Sequence, residues 1–101
     1  MPLTSVEEGS ALTVWVTGEV DHHAARELMA ALTRQVETAL PRRLVLDLGG
    51  VTFMDSSGIA LVLRTWKRMR ELEGEMTLRS VPPQPEKILR TAQVDKLISF
   101  S

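Results

Sequence analysis

The order of hydrophobic and polar residues divides the chain into segments with two different periods. Over residues 12–16, apolar and polar positions alternate one by one, which is typical of a β-strand with one buried face. A weaker strand is indicated over 3–7, and the Gly-Ser pair at 9–10 predicts the turn that joins the two. Residues 44–48 are nearly all apolar, as in a central strand buried on both faces, and the two glycines at 49–50 predict its end.

Two longer segments have the three-to-four-residue spacing of an amphipathic helix. Gly18 predicts the end of the alternating strand. Asp21 then predicts an N-cap, because its carboxylate can accept a hydrogen bond from a free N–H of the first turn. Apolar residues recur at helical spacing over 25–40, and Pro41 predicts the end of that helix.

The second helix is predicted to begin at Ser56 or Ser57. Gly74 has the place of the left-handed residue that often follows a helix, so it predicts the end of this one. The expected inner stripe of this helix is Ile59, Val62, Leu63, Trp66 and Met69.

The C-terminal third continues the alternation of strands and helices. Residues 76–78 predict a strand, and the proline-rich run at 81–85 predicts a rigid turn before a short helix around 88–89. The last apolar segment, 94–100, is compatible with either a helix or a strand. The order strand, strand, helix, strand, helix, strand, helix predicts an α/β domain of βαβ units with an antiparallel hairpin at one edge.

Composition narrows the class of protein further. A length of 101 residues corresponds to a single domain, 1–101, because two domains would each be too small for a stable core. Lys and Arg number 12 against 13 Asp and Glu, so neither nucleic acid nor an anionic membrane is expected as a partner. The absence of cysteine excludes disulfides, Cys-ligated metals and thiol nucleophiles. The N-terminus lacks the order of a signal peptide and no apolar run approaches ~20 residues, so we expect a cytoplasmic protein.

The segment 51–59 is where the sequence predicts function, because it joins a buried strand to a helix N-terminus. A phosphate on Ser57 would face free backbone N–H groups and the positive end of the helix dipole, an interaction of about 0.3–1 kcal/mol. Taken alone, these residues favour the simpler interpretation that Ser56 and Ser57 only cap the helix.

No catalytic constellation accompanies these serines. The sequence has no Gly-x-Ser-x-Gly elbow and no glycine-rich phosphate-binding loop. His22 and His23 are adjacent and point to different sides of a helix start, so they cannot both line one tight metal site. We therefore expect a binding module that is not an enzyme and uses no metal or other cofactor.

Two motifs together favour a function for these serines beyond capping the helix. Phe-Met-Asp-Ser-Ser-Gly-Ile-Ala at 53–60, preceded by Gly-Glu-Val-Asp-His-His at 18–23, resembles the STAS domain family. More narrowly it resembles the anti-sigma-factor antagonists, especially the sporulation antagonists of the sigma-F system. The resemblance extends over essentially the whole chain, 1–101. It implies the STAS fold, an α/β domain with a single mixed sheet, an N-terminal antiparallel hairpin and helices packed mainly on one side.

The resemblance also implies a mechanism. Ser57 would be phosphorylated by the anti-sigma factor itself, an ATP-dependent kinase of the histidine-kinase-like ATPase fold. The unphosphorylated antagonist would bind that kinase and free its sigma factor, and the phosphorylated antagonist would dissociate. A serine phosphatase would then restore the unphosphorylated form. The acidic residues of the two motifs match Asp21 and Asp55, which are then expected beside the docking surface.

A partner-binding surface is expected around the phosphorylation site. Ser57, Leu61, Arg64 and Arg68 share one helical stripe, which makes Leu61 and Arg64 candidate contacts. Glycine at position 58 is expected to leave room for the kinase to approach the hydroxyl. The predicted partner-binding residues are Asp21, His22, Asp55, Ser56, Gly58, Leu61 and Arg64.

Two other functions remain open from the sequence. One is a STAS adaptor that binds in a stress-signalling or lipid-transport complex without being phosphorylated. The other is a receiver-like domain in which Asp55 or Asp47 accepts the phosphate. A receiver also needs an acidic pair for magnesium, and Glu7-Glu8 is poorly placed for it.

Overall fold

A computed structural model of the chain describes residues 3–101 and shows one mixed sheet of five strands with three helices. The strands follow one another in the order β1-β2-β3-β4-β5, with β1 antiparallel to β2 and the other neighbours parallel. The N-terminal antiparallel hairpin predicted from the sequence is confirmed. The strands are Leu3–Glu8 (β1), Ala11–Val20 (β2), Arg43–Met54 (β3), Glu75–Arg79 (β4) and Ser99–Phe100 (β5), and the helices are Ala25–Ala39 (α1), Ser56–Glu71 (α2) and Pro83–Thr91 (α3).

The helices lie on one face of the sheet. Each joins two neighbouring parallel strands that advance in the same direction, and right-handed crossovers then place every helix on the same side. That face holds the hydrophobic core, whereas the other carries half-exposed and polar side chains. The buried apolar residues of the strands are Leu3, Leu12, Val14, Val16, Val20, Leu44, Leu46, Leu48, Val51, Met54, Met76 and Leu78.

The helix-free face is crossed by a row of three paired residues. Trp15, Asp47 and Arg79 occupy matching positions on β2, β3 and β4. Arg79 Nε donates to Asp47 Oδ2 at 2.9 Å, and its guanidinium lies 5.8 Å from the centre of the Trp15 ring. Asp47 also accepts a hydrogen bond from the Gly49 N–H at 2.8 Å, so two donors hold this carboxylate in place.

Both long strands continue past the glycines that were predicted to end them. β2 runs to Val20 because Gly18, at φ +84°, adopts a left-handed conformation at an irregularity in the β2–β3 register. β3 runs to Met54 through both glycines. A Cβ on Gly50 would lie 2.7 Å from Thr17 Cγ2, so glycine here permits close approach of β2 and does not break the strand. The two predicted strand ends were therefore wrong.

The helix boundaries follow the sequence signals with two exceptions. Asp21 Oδ1 accepts from the N–H groups of His23 and Ala24, but these lie in the turn that leads into α1. The N-cap of α1 is Ala24, which has no side-chain cap, so the predicted position of the cap was wrong by three residues. α1 ends before Leu40, directly ahead of Pro41, as predicted. After α2, however, the left-handed residue is Glu73 at φ +57°, not Gly74. A Cβ on Gly74 would lie 2.9 Å from the Arg42 carbonyl oxygen, so this glycine serves close packing.

The buried face of α2 is wider than the predicted stripe and turned toward α1. Val62 and Met69 are buried as expected, whereas Ile59, Leu63 and Trp66 are only partly buried against the core. Leu61 and Thr65 are buried instead, because α2 lies beside α1 as well as on the sheet. The Thr65 hydroxyl donates to the Leu61 carbonyl at 2.8 Å, which satisfies its polar group inside the core.

The C-terminal segment resolves into three short elements. The proline-rich run begins α3, with Pro83 in its first turn, where a missing N–H leaves no hydrogen bond unmade. The apolar segment of undecided type forms a 3₁₀ turn, Val94–Lys96, followed by the edge strand β5. None of the helices within residues 3–101 combines the length and the hydrophobicity that crossing a membrane requires.

Candidate functional site

The Asp55 carboxylate joins the beginnings of α1 and α2. Strands β2 and β3 are parallel, so Asp21 and Asp55 follow them at the same edge of the sheet. Asp55 is the N-cap of α2, and its Oδ1 accepts from the Ser57 N–H at 2.8 Å. Its Oδ2 accepts from the His22 N–H at 3.0 Å, across 33 residues of chain. One side chain thereby fixes the loop before α1 against Ser56, Ser57 and Gly58, the serine motif at the start of α2.

These contacts lower the pKa of Asp55. Partial removal from water raises the pKa of the carboxyl, but the backbone N–H groups of Ser57 and His22 outweigh that effect. The pKa therefore lies below the ordinary value of 3.8. The carboxylate is ionised at neutral pH and holds two backbone donors that would otherwise lack a partner at a helix start.

We expect Asp55→Asn to destabilise the protein at neutral pH, because an amide has one acceptor oxygen for two N–H donors. A carboxyl whose pKa is lowered by folding contributes stability above its unfolded pKa and loses it as the pH falls through the folded value. The difference in free energy of unfolding between wild type and Asp55→Asn should therefore shrink below about pH 4. Urea unfolding at a series of pH values measures this difference.

Glu8→Gln is the matched control, since it removes an exposed carboxylate of β1 that makes no ion pair within the described residues 3–101. Its stability difference from wild type should be small at every pH. A difference for Asp55→Asn that stays constant from neutral to acid pH would contradict the assigned role of the carboxylate.

The serine motif forms the first turn of α2. Ser56 is exposed, Ser57 is half-buried and Gly58 is fully buried. A Cβ on Gly58 would lie 2.3 Å from Met54 Cγ and 2.9 Å from its sulfur. The expected reason for this glycine, room for an approaching kinase, is thus replaced by another: the missing side chain points inward, and it lets α2 begin directly on Met54.

An open groove of about 840 Å³ lies between α1 and α2, with Ser57 and His22 at its N-terminal end. Leu61 lines the groove and is only 4% exposed, so it forms part of the groove floor and does not project toward a partner. Arg64 is exposed on the same groove. The groove therefore brings together four of the residues predicted from the sequence: His22, Ser57, Leu61 and Arg64. The other four, Asp21, Asp55, Ser56 and Gly58, do not line the groove.

The α1 side of the groove was not predicted. Arg26, Met29 and Arg34 line it, together with the small residues Ala25 and Ala30 and with Thr33. A signal for it was present, since Arg26, Ala30 and Arg34 recur at four-residue spacing and so share a face of α1. The pattern alone does not say which exposed face of a helix borders a neighbour.

Arg68, the last residue of the predicted stripe, does not line this groove. Its Nη2 donates to Glu37 Oε2 of α1 at 2.9 Å, its Nε bonds the other oxygen, and its Nη1 reaches Glu71. These partners raise the pKa of Arg68, through the Glu37 hydrogen bond above all. The bidentate pair ties α1 to α2 where the open groove ends.

A side chain of α3 holds Met54, which lies two residues before the serine motif. The Gln84 side chain of α3 accepts from the Met54 N–H at 2.9 Å and donates to the Met54 carbonyl at 2.8 Å. It thus replaces the neighbouring strand at a point where β3 extends beyond its pairing with β4. Nothing in the local sequence indicates this role, because the two residues meet only through the tertiary fold.

The fold and the site together define a small α/β domain that presents a serine at a helix N-terminus beside an interhelical groove. Within the part of the chain described by the structure, no three His, Cys, Asp or Glu side chains are grouped as a metal site. The sequence model of the STAS domain family matches residues 3–101. The chain belongs to the STAS domain family, which confirms the family predicted from the two motifs.

Several individual proteins similar to this chain are named anti-sigma factor antagonists. The chain is 29% identical over 87 residues to the anti-sigma F factor antagonist of Paenibacillus polymyxa, covering 86% of this chain and 74% of that protein. It is 37% identical over 76 residues to the anti-sigma F factor antagonist of Lysinibacillus sphaericus, covering 72% and 62%. Its fold is similar to that of the anti-sigma factor antagonist SpoIIAA in the unphosphorylated form, with a TM-score of 0.82, 20% identity and coverage of 98% and 87%. The phosphorylated form of SpoIIAA from Bacillus gives a TM-score of 0.75 at 20% identity, covering 98% of this chain and 90% of that one.

Proposed function

We propose that this protein is an anti-sigma-factor antagonist controlled by phosphorylation of Ser57. Its unphosphorylated form binds an anti-sigma factor of the histidine-kinase-like ATPase fold in the cytoplasm and releases the bound sigma factor. The same partner phosphorylates Ser57 with ATP and then dissociates, and a serine phosphatase restores the binding form. The protein is a substrate and a binding module and has no catalytic activity of its own.

The position of Ser57 is the observation that carries this proposal. The residue lies at the N-terminus of α2, half-exposed at one end of the groove, so an incoming kinase can reach it from the groove side. The positive end of the helix dipole favours a phosphate at this position. Two relatives that carry the name of anti-sigma F factor antagonist support the same function.

The aspartates are less suited to accept the phosphate. Asp55 holds the N–H groups of Ser57 and His22, and Asp47 is paired with Arg79 on the helix-free face of the sheet. A nucleophilic aspartate of the receiver type would need free oxygens beside a magnesium site. Serine is therefore the better acceptor, and the receiver-like alternative loses support.

The test is mass spectrometry of the chain after incubation with each ATPase-fold kinase from the same genome and ATP. We expect one added phosphate, mapped to Ser57 by peptide analysis and stable in acid. Ser57→Ala should remain unmodified, whereas the neighbouring Ser56→Ala should be modified as wild type is. The Ser56 hydroxyl is exposed outside the groove, which makes it the matched control.

Other outcomes would replace the proposal with one of its alternatives. A phosphate that hydroxylamine removes, located on an aspartate, would make the protein a receiver-like acceptor. Binding to a partner without modification by any kinase would identify it as a STAS adaptor.

A further inference from the structure

The groove between α1 and α2 is positively charged although the chain as a whole is not. The protein has a net charge of -1. Among the eleven residues that line the groove, three are arginines, Arg26, Arg34 and Arg64, one is His22, and none is acidic. The groove beside Ser57 therefore carries a local excess of positive charge.

These three arginines have no ionic partner within residues 3–101, whereas Arg68, Arg79 and Arg90 are each paired. All three are exposed. Cations that share a groove raise its potential together and attract an anionic ligand more strongly than scattered charges do. The Arg68–Glu37 pair, at the far end, shows how this helix pair binds carboxylate when one is in reach.

The two aspartates at the N-terminal end of the groove are already engaged with backbone donors. Asp55 accepts from the N–H groups of His22 and Ser57, and Asp21 accepts from those of His23 and Ala24. Neither carboxylate makes an ion pair with a groove arginine. The charge of the groove is left for a ligand from outside the chain.

The floor of the groove is apolar. Met29 and Leu61 face it between the arginines, and alanines at 25, 30 and 60 keep its walls low. A surface with apolar residues along its floor and cations along its rim is complementary to one amphipathic helix, in the helix-in-groove mode of recognition. Arg26 and Arg34 are eight residues apart on α1, about 12 Å at the rise of an α-helix.

We propose that this groove binds an acidic amphipathic helix of the partner protein. Its apolar side lies on Met29 and Leu61, and carboxylates spaced about two helical turns apart bind Arg26, Arg34 and Arg64. The inference rests on the proposed function for the identity of the partner, the kinase that modifies Ser57. It also gives the switch a physical basis, because a phosphate on Ser57 competes with the helix carboxylates for the same arginines and repels them.

Carbodiimide cross-linking tests the proposal directly. Carbodiimide activates a carboxyl group, which then forms an amide with a lysine amine in contact with it, and arginine does not react. Arg34→Lys and Arg64→Lys, each combined with Ser57→Ala to hold the complex in ATP, place a reactive amine in the groove. We expect cross-links from both positions to Asp or Glu of a single helix of the kinase, and none from the native Lys87 of α3, which lies outside the groove.

Charge reversal provides the second measurement. Arg34→Glu and Arg64→Glu should each weaken binding of the kinase about tenfold or more at low salt, and the loss should diminish near 1 M salt. Lys87→Glu makes the same change of charge outside the groove and should alter the dissociation constant less than about twofold. Circular dichroism spectra matching that of wild type would show that the exposed substitutions leave the fold intact.

The outcomes separate the two proposals. If kinase and ATP modify Ser57 but charge reversal in the groove leaves affinity unchanged and no cross-link forms there, the acidic-helix proposal is wrong and the phosphorylation switch stands. If cross-links lead to acidic residues scattered over loops, the partner surface is acidic but not a helix, and the proposal is also overturned. If no kinase binds or modifies the chain, the proposed function fails first, and this inference fails with it.

Discussion

Replacing Ser57 by aspartate is expected to abolish tight binding to the anti-sigma factor. The substitution places a permanent negative charge at the end of the groove, where a partner carboxylate is proposed to lie. Two unit charges 4 Å apart at a partly hydrated interface repel by about 4 kcal/mol, and every 1.4 kcal/mol corresponds to about tenfold in affinity. We expect the dissociation constant of Ser57→Asp to exceed that of wild type by at least about a hundredfold, as measured by calorimetry.

Ser57→Ala is expected to have the opposite effect in the presence of ATP. It removes the hydroxyl that accepts the phosphate and adds no charge, so the complex should persist when wild type dissociates. Ser10→Asp is the matched control for the aspartate, because it adds the same charge in the exposed hairpin turn at the other end of β2. Unchanged affinity of Ser57→Asp, or release of Ser57→Ala on addition of ATP, would be incompatible with the charge mechanism.

Gly58→Ala is expected to cause the largest loss of stability among substitutions in the serine motif. The added Cβ would overlap Met54, at 2.3 Å from its Cγ and 2.9 Å from its sulfur. Overpacking of this kind typically costs about 1–3 kcal/mol in free energy of unfolding. Met54 directly precedes the N-cap of α2, so the same shift is expected to move Asp55 and to slow phosphorylation of Ser57.

The reason for the loss can be tested with a double-mutant cycle measured by chemical denaturation. Met54→Ala removes the overlapping atoms, so adding Gly58→Ala in that background should cost less than about 0.5 kcal/mol. Ser56→Ala, two residues earlier and exposed, should change stability by no more than about 0.5 kcal/mol. An equal cost of Gly58→Ala in both backgrounds would mean that contact with Met54 is not its cause.

The expected loss of affinity in Ser57→Asp and the expected loss of stability in Gly58→Ala arise from different properties of the same turn. At Ser57, which is half-exposed, we expect the fold to tolerate a new charge and the consequence to lie in the partner. At Gly58 we expect the fold itself to be disturbed, because the position faces Met54 in the interior.

The element order, the single mixed sheet and the family could be predicted from the sequence, because they depend on local signals. Alternation and helical spacing reflect which side of a segment meets the core. Stops such as Pro41 act within one turn of the chain, and this helix end was located correctly. Asp21 binds backbone N–H groups as expected, but in the turn before α1 and not at its N-cap, which is Ala24. The motif at 53–60 carried the family because it is contiguous.

The role of glycine was predicted less well, for a physical reason. A glycine that breaks a strand and one that admits a close neighbour have the same side chain, and only the neighbour distinguishes them. Thr17 against Gly50 and the Arg42 carbonyl against Gly74 are contacts between distant parts of the chain. The expected strand end at 49–50 and the expected left-handed residue at 74 were wrong for this reason. The expected strand end at 18 was wrong for another: Gly18 has no atom within 4 Å of an added Cβ, and its φ of +84° lets β2 continue through an irregularity in the register.

By itself, the sequence determined the strand and helix order and the position of the serine at a helix start, since both follow from short-range periodicity and capping. The tertiary structure alone decided which surface accompanies that serine. It turned Leu61 into the groove floor, paired Arg68 with Glu37 across 31 residues, and brought the arginines of α1 to the groove. Helical spacing defines a face, but the packing of one helix against another decides whether that face becomes core, bridge or docking surface.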